Sequence, residues 1–489
     1  MHRFAIGVFA GIVSVVLGAT LYAGHEARAY YLDTLAAIPE HPLFALRSVA
    51  YRRGFVRSSA VTVVELALPA MPGNTGAKVQ TNRPASEPLR VVLRHEVEHL
   101  PRFWGDHAGL FVIETRLDTQ DPRQGEFVKS IGAPEPLHLV SRMALDGATH
   151  SRVSVAPFRR QQENTAQTIH WQGLEGTLET VPDSASLSFS LHSPGLRAVG
   201  ERGEFELGAL AMQGDLQRGP YDLWFGTQSF RLSRIQLSAV TRATGESGRF
   251  SIGPLEFSGE TVAKGDRLAS AARMTVNDIR YNSRVIRRVQ VASGVDNLRM
   301  ASVAALRDAM RAVQQRRIPR EEQQLALTGV ALQHLSDLIA GKPVLRIDEL
   351  NVETSFGALD ARLDLTATGA LPVADQNPLA LLAAVQGSAQ LAVPQAMVQA
   401  LAAARVREAL KTAYAAGEHA MPAGDELDRR VAEQVEQQLL QLEAQGFLVR
   451  NNGRYTVQVE LGGADLRING TSFAKMLAAA AQGAVTHAP

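Results

Sequence analysis

The chain has 489 residues, of which 45% are hydrophobic and 20% charged, a globular composition that excludes a wholly disordered or collagen-like protein. Lys and Arg number 50 against 49 Asp and Glu, so the chain lacks the basic surplus that a general polyanion binder needs. The sequence contains no cysteine, which excludes disulfides, thiolate catalysis, zinc fingers and iron–sulfur clusters.

An uncharged apolar segment opens the chain. As a helix, Phe4–Ala23 would span about 30 Å, the thickness of a bilayer core. A cleaved signal peptide usually has a shorter apolar region of about 7–15 residues, and Leu21 and Ala23 match its cleavage pattern poorly. We therefore predict an uncleaved, single-pass membrane anchor. Arg3 favours a cytoplasmic amino terminus, which would place the rest of the chain on the other side of the membrane.

Short strands with alternating apolar and polar residues dominate the next part of the chain. Leu89–His99 follows a period of two, which is typical of a half-buried strand. Similar runs occur at Ala60–Leu68, Leu110–Leu117, Leu187–His192, Phe230–Leu237, Arg249–Phe257 and Leu363–Thr368. Asn452-Gly453 lies between two further runs and predicts a type I′ hairpin turn. Because short turns join these strands, the pattern favours an antiparallel meander over a parallel sheet.

Helical spacing is concentrated in the last third of the chain. Val303, Leu306, Met310 and Val313 lie three or four residues apart, on one face of a helix. Further helices are predicted to begin at Pro319, at Pro394 and after an Asp425 cap, which places helical segments at about 302–340 and 395–445.

The predicted fold class is α+β. It consists mainly of an antiparallel β meander in a long curved sheet, with several helices in the C-terminal third and one N-terminal transmembrane helix. We predict a membrane anchor over residues 1–28, a β-rich region over 29–300, and a helix-containing α+β region over 301–489 that continues the same fold.

One motif suggests metal chemistry. His95-Glu96-Val97-Glu98-His99 matches H-E-x-x-H, in which two histidines one helical turn apart share a zinc ion and Glu96 would act as general base. The motif, however, continues a strand pattern, and Pro101 would end a helix. On a strand, His95 and His99 lie about 13 Å apart, too far to share one ion. We predict a strand that binds no metal, with a zinc metallopeptidase as the alternative.

No other chemical signature is present. The sequence lacks the G-x-S-x-G elbow of hydrolases and the phosphate-binding loop G-x-x-x-x-G-K-[ST]. Arg316, Arg317 and Arg320 are balanced by Glu321 and Glu322, which argues against a nucleic-acid site. We therefore predict a protein that is not an enzyme, with no catalytic, cofactor-binding or metal residues, no cofactor and no nucleic-acid partner.

Several short motifs resemble one bacterial family. The stretch from Tyr51 to Ser58, YRRGFVRS, resembles the Y-x-R-G-x-x-x-S signature that opens the soluble part of YdgA-like proteins. His99 and Pro101 resemble a strand-ending His and following Pro of that family, with Leu100 in place of the usual glycine. Pro136–Pro157, Gly341-Lys342-Pro343 and Asn451–Asn469 also resemble family elements.

The resemblance implies a bacterial inner-membrane protein with one N-terminal helix and a large periplasmic β-rich domain. That family has no assigned reaction, so no catalytic residue is carried over. We expect a non-enzymatic structural or binding role in the cell envelope, with the lipid bilayer and either a lipid or an envelope protein as partners. A curved sheet with an apolar concave face would handle lipid, by analogy with AsmA-like groove proteins. The alternative is an assembly scaffold for envelope proteins.

Overall fold

The computed structural model describes residues 19–32, 35, 44–66, 89–99, 109–162, 167–181, 185–201, 203–240, 247–316, 320–369, 384–416, 424–462 and 465–478. The chain forms two compact units. Unit 1 comprises Met1–Ser247 and Arg307–Thr328, and unit 2 comprises Gly248–Leu306 and Gly329–Pro489.

Unit 1 begins with helix α1 at residues 19–32 and continues as antiparallel strands. The strands are β1 (Phe44–Arg52), β2 (Arg57–Leu66), β3 (Leu89–Glu98), β4 (Phe111–Leu117), β5 (Leu137–Met143), β6 (Thr149–Val155), β7 (Phe158–Gln162), β8 (Gln167–Trp171), β9 (Leu174–Thr180), β10 (Ser186–Ser193), β11 (Leu196–Gly200), β12 (Gly203–Leu207), β13 (Leu210–Arg218), β14 (Trp224–Leu232) and β15 (Ile235–Val240). Helix α2 (Pro122–Ile131) lies between β4 and β5.

The strands of unit 1 form two rows of antiparallel neighbours. The main row runs β1-β2-β3-β4-β5-β6-β9-β10-β13-β14. The second row runs β7-β8-β11-β12-β15. The predicted antiparallel meander is therefore confirmed.

A crease separates the two rows, because long strands break at equivalent positions. The breaks fall at residues 156–157, 172–173, 194–195, 208–209 and 233–234. Backbone hydrogen bonds bridge the crease, as where the Gln172 N–H donates to the Gly195 carbonyl at 3.0 Å. Gly195 has a φ of 139°, and a side chain there would overlap the carbonyl oxygen of Leu207. The crease therefore requires glycine at this position.

The crease corrects one predicted strand. Phe230–Leu237 is not continuous, because Ser233 and Arg234 separate β14 from β15. The apolar series ends at Leu232 and resumes three residues later at Ile235, an odd spacing that one flat strand cannot keep on a single face. The same three-residue step joins Trp171 to Leu174 across the crease.

Unit 2 contains the remaining strands and most of the helices. Its strands are β16 (Ser247–Ile252), β17 (Leu255–Lys264), β18 (Arg267–Tyr281), β19 (Arg284–Arg299), β20 (Val344–Thr354), β21 (Gly357–Ala367), β22 (Val385–Pro394), β23 (Val449–Asn451), β24 (Arg454–Gly462), β25 (Asp465–Ile468) and β26 (Thr471–Ser472). Its helices are α5 (Gln395–Ala416), α6 (Gly424–Ala444) and α7 at 473–478. Helices α3 (Met300–Gln314) and α4 (Arg320–Ala340) are divided between the units.

The core of unit 2 forms where α5 and α6 pack on each other and on β24. Val406 of α5 contacts a stripe on α6 that includes Val431 and Leu439, and all three are buried with Tyr455 of β24. The residues of this stripe are spaced at four, as on one face of an amphipathic helix. The four predicted helices of the C-terminal third are thus confirmed, although α6 begins at Gly424, so that Asp425 lies in its first turn rather than at its cap.

Three further sequence predictions have structural outcomes. The Asn452-Gly453 hairpin is confirmed, since both residues have positive φ, of 49° and 74°. The predicted strand Arg249–Phe257 is wrong as one element, because Gly253-Pro254 divides it into β16 and β17, and proline has no N–H to donate. Helix α2 was not predicted at all.

The predicted membrane anchor falls mainly on residues 1–18, which lie outside the described residues. Within the described ranges, no helix is both long and apolar enough to span a bilayer.

Candidate functional site

Helix α1 packs on the first four strands of unit 1. Ala23 and Ala27 have no exposed surface. Ala27 contacts Val97 of β3 and Phe111 of β4, and the ring of Tyr30 lies 5.7 Å from that of Phe111. Small residues at positions four apart allow the helix backbone to approach the sheet closely. The end of the predicted anchor is therefore part of a protein core from residue 20 onward.

A chain of hydrogen bonds lies buried between α1 and the sheet. The Tyr31 hydroxyl is 2.8 Å from Thr62 Oγ1 and 3.2 Å from Ser48 Oγ. Thr62 Oγ1 is in turn 2.8 Å from His95 Nε2, and His95 Nδ1 is 2.8 Å from Thr115 Oγ1. Four strands and the helix thus share one continuous polar network.

The network has one consistent direction. Tyr31 donates to Ser48, so its oxygen accepts from the Thr62 hydroxyl. Thr62 then accepts from His95 Nε2–H, and His95 Nδ1 accepts from the Thr115 hydroxyl. This pattern assigns a neutral imidazole with its proton on Nε2. Burial lowers the pKa of His95 from 6.5 to about 4, which agrees with a neutral ring near pH 7.

A second polar contact fixes the start of α1. His99 Nε2 lies 3.0 Å from Ser58 Oγ, and the Gly54 N–H donates to the same hydroxyl at 3.2 Å. A side chain at Gly24 of α1 would lie 3.0 Å from the His99 ring, so the helix backbone rests directly on the imidazole. Burial lowers the pKa of His99, and the nearby charge of Arg53 lowers it further.

The signature residues of the YRRGFVRS stretch surround this helix. Arg53 donates to the Leu21 carbonyl of α1 at 3.3 Å, and the Tyr51 ring lies 5.7 Å from the Tyr31 ring. Gly54 reaches His99 through the Ser58 hydroxyl. A side chain at Gly54 would overlap the carbonyl oxygen of Arg57. We call Tyr51, Arg53, Gly54, Ser58 and His99 the helix clamp.

The H-E-x-x-H motif lies on a strand and not on the helix that a zinc site of this type requires. His95 lies on β3 and His99 comes directly after its last residue, as the strand prediction states. Each imidazole binds different hydroxyls, and Glu96 is exposed on the other face of the strand. In the part of the chain that the structure describes, no group of three or more His, Cys, Asp or Glu residues is placed to hold a metal ion.

A second candidate site is the apolar face of the unit 1 meander. Paired residues of neighbouring strands share a face, and one such row is Val153, Gly176, Leu191, Met212 and Phe230. The adjacent row contains Leu178, Phe189 and Gly214. The first row is therefore apolar across five strands, and the second is apolar across three, with Ser151 and Gln228 at its ends.

The apolar face is flattened by two glycines. A side chain at Gly176 would meet Leu191 at 2.8 Å, and one at Gly214 would meet the Phe189 ring at 2.5 Å. Leu191 and Phe189 therefore lie down along the sheet, which leaves a smooth surface. Leu178 is 40% exposed, so the face is accessible to an apolar ligand.

The opposite face of the same strands is polar. One row there consists of Arg152, Thr177, Ser190, Gln213 and Ser229. This separation of the two faces is typical of an antiparallel sheet with one solvated side.

Two surface depressions carry mixed charge. One of about 560 Å³ in unit 1 is lined by arginines and glutamates that include Arg57 and Glu98, which are 4.0 Å apart. One of about 600 Å³ in unit 2 contains the ion pair of Arg454 with Asp360. Because opposite charges line both depressions and pair within them, they are typical of solvated strand faces rather than of catalytic sites.

The clamp could not be derived from spacing alone. Ser58 and His99 are 41 residues apart, and only the β2–β3 pairing brings them together. The family resemblance does single out these residues, without indicating that they hold a helix. For the apolar face, the available signal was the alternation of apolar and polar residues along the strands.

The fold and the helix clamp together describe an antiparallel, β-rich protein whose N-terminal helix is held against the sheet. Residues 1–475 match the family described as "Bacterial protein of unknown function (DUF945)". The chain belongs to this bacterial family. A comparison with curated proteins gives no match.

Proposed function

We propose that this protein is a non-enzymatic, membrane-tethered component of the bacterial cell envelope that binds an extended apolar ligand such as a lipid acyl chain. Its tether is the apolar segment that starts at Phe4 and precedes helix α1, in the inner membrane, and the two units lie in the periplasm. The observation that carries the ligand proposal is the apolar face of the unit 1 meander, with Leu178 exposed and Leu191 and Phe189 lying flat.

The helix clamp supports the tether. A membrane segment that ended in a flexible linker would leave unit 1 free to rotate. Here residues 19–32 form a helix whose inner face packs on β1–β4, with Ala23 and Ala27 fully covered. The clamp would therefore transmit the position of the membrane segment rigidly to the sheet.

The first prediction concerns membrane topology. Alkaline phosphatase fused to the carboxyl end of the full chain should be active, because Phe4–Ala23 directs the export of the chain on its carboxyl side. A double change of Val13→Arg and Val16→Arg should abolish that activity, since each arginine costs about 2.5–3.5 kcal/mol at the centre of a span. An inactive wild-type fusion that is expressed at normal levels would contradict the proposed location.

The second prediction concerns the apolar face. Leu178→Glu should remove most of the phospholipid that co-purifies with the detergent-extracted protein, because it places a charge on the ligand face. Thr177→Glu is the matched control, since the neighbouring residue lies on the polar face of the same strand and is exposed. Native mass spectrometry measures the bound lipid in each variant.

The possible outcomes distinguish lipid binding from a role as an assembly scaffold. Lipid retained equally by wild type and Leu178→Glu would reject this face as the lipid site. If wild type carries no lipid while a co-purifying envelope protein is lost in Leu178→Glu, the assembly scaffold takes the place of lipid binding.

A further inference from the structure

Four hairpin turns of unit 1 lie at the same end of its strands. Glu98 of β3 pairs with Val112 of β4. Successive residue pairs extend this line across the neighbouring strands to Glu179 of β9 and Asp215 of β13. The turns β1–β2, β5–β6, β9–β10 and β13–β14 all lie beyond this line on the same side, because antiparallel strands reverse direction at each turn. We call this end of unit 1 the rim.

Each rim turn exposes a large apolar side chain. Phe55 is 51% exposed in the first turn and Leu145 49% in the second. Val181 is 42% exposed in the third and Tyr221 56% in the fourth. Turns usually present Gly, Asn, Asp or Ser to water, whereas each of these four turns presents a large apolar side chain.

The fourth turn holds its aromatic residue in an unusual backbone conformation. Tyr221 has a φ of 59°, in the left-handed region that bulky residues rarely adopt. Arg307 stabilises this conformation, because its guanidinium donates to the carbonyls of Tyr221 and Asp222, each at 2.9 Å. The exposed ring is thus fixed by a specific contact.

The predicted membrane segment joins unit 1 at the rim. Helix α1 begins there, since the Leu21 carbonyl accepts from Arg53 in the β1–β2 turn, whereas Tyr31 contacts Thr62 farther along β2. Leu21 and Tyr22 are about half exposed beside that turn. The start of α1 therefore lies beside the first rim turn.

We propose that the rim is a docking surface for the lipid bilayer interface. Phe55, Leu145, Val181 and Tyr221 enter the boundary between headgroups and acyl chains, where aliphatic and aromatic side chains are stable. Arg52, which is exposed beside the first turn, faces the phosphates of anionic lipids. This inference rests on the proposed tether, which brings the rim to the membrane.

The test uses the absence of cysteine from the chain. Single-cysteine variants of the full-length protein at Leu145, Val181 and Tyr221 each carry an NBD fluorophore. They are reconstituted in nanodiscs of phosphatidylethanolamine and phosphatidylglycerol that contain a shallow doxyl-labelled lipid as quencher. Val199 and Leu237 provide matched controls, because they are 40% and 44% exposed in unit 1 but lie beyond the crease, away from the rim.

We expect the doxyl lipid to quench about half of the fluorescence at the three rim positions and very little at the two controls. Replacing phosphatidylglycerol with phosphatidylcholine should reduce rim quenching, because the headgroups near Arg52 lose their net negative charge. Equal quenching at the rim and control positions, or no quenching at the rim, overturns the inference. Rim fluorescence that depends on protein concentration and not on doxyl lipid would instead indicate contact with a second copy, and also overturns it.

A separate measurement distinguishes the rim from the tether. Alkaline extraction shows whether the full chain stays in the membrane. Protein that is retained but unquenched at the rim contradicts the rim alone. Protein that is extracted, yet quenched at the rim when mixed with doxyl-containing vesicles, contradicts the tether and supports the rim.

Discussion

Acidification from pH 6.5 to about 4 should destabilise unit 1 by about 3 kcal/mol through His95 alone. Burial lowers the pKa of this imidazole in the folded state, so the unfolded chain takes up a proton first as the pH falls. The stability contributed by the neutral ring is therefore complete above pH 6.5 and is lost progressively down to about pH 4.

Protonation of His95 would also disrupt the buried chain of hydrogen bonds. The ring nitrogen that would gain the proton, Nδ1, accepts from the Thr115 hydroxyl in the neutral state. A proton there forces Thr115 to turn its hydroxyl, while the charge has no carboxylate within the network formed by Ser48, Tyr31, Thr62 and Thr115.

Urea unfolding at several pH values measures this effect. All three tryptophans, at positions 104, 171 and 224, belong to unit 1, so their fluorescence reports on that unit. His95→Asn should be less stable than wild type at neutral pH but should lose about 3 kcal/mol less on acidification. His192→Asn, at an exposed position on a strand, is the control. Its free energy of unfolding should depend on pH as that of wild type does. Parallel pH profiles for wild type and His95→Asn would show that another group controls acid stability.

Gly54→Ala should destabilise unit 1 by about 3 kcal/mol and loosen helix α1. A methyl group at this position would overlap the Arg57 carbonyl oxygen, which is backbone and cannot move without reshaping the turn. That movement would separate the Gly54 N–H from Ser58 and would shift Arg53 away from Leu21. One substitution thereby disrupts several contacts of the helix clamp.

Two measurements check this prediction. Tryptophan-detected urea unfolding gives the free energy, and limited trypsin digestion gives the rate of cleavage after Arg28, which is exposed but helical in α1. Cleavage should be several-fold faster in Gly54→Ala. Gly200→Ala is the control in the same unit, because its methyl group would meet no atom closer than 3.6 Å. Normal stability with slow cleavage at Arg28 would mean that the turn accepts a side chain and that Gly54 does not hold the helix.

Helix α2 shows how local signals can be present and still be insufficient. Asp121 caps its start through a bond to the Gln124 N–H, Pro122 occupies the first turn, and Gly132 ends it in the left-handed conformation. These are ordinary helix boundaries. The helix has only ten residues, however, and it is retained by a tertiary contact in which the Gln124 side chain bonds both the N–H and the carbonyl of Val92 on β3.

The sequence by itself determined the elements whose stabilisation is local or periodic. Alternation over Leu89–His99 was enough to place His95 on a strand, and three-and-four spacing was enough to place helix α3. The Asn452-Gly453 turn resulted from backbone preference, which requires no partner.

The tertiary structure alone decided the crease, the helix clamp and the rim. Each depends on strand register, which brings together residues that are far apart in the chain, such as Ser58 with His99 or Gln172 with Gly195. Alternation tells which residues share a face of one strand, but it carries no information on which strand lies beside it. For that reason the sequence identified the strands and His95, while only the folded sheet showed that His95 lies beneath a helix.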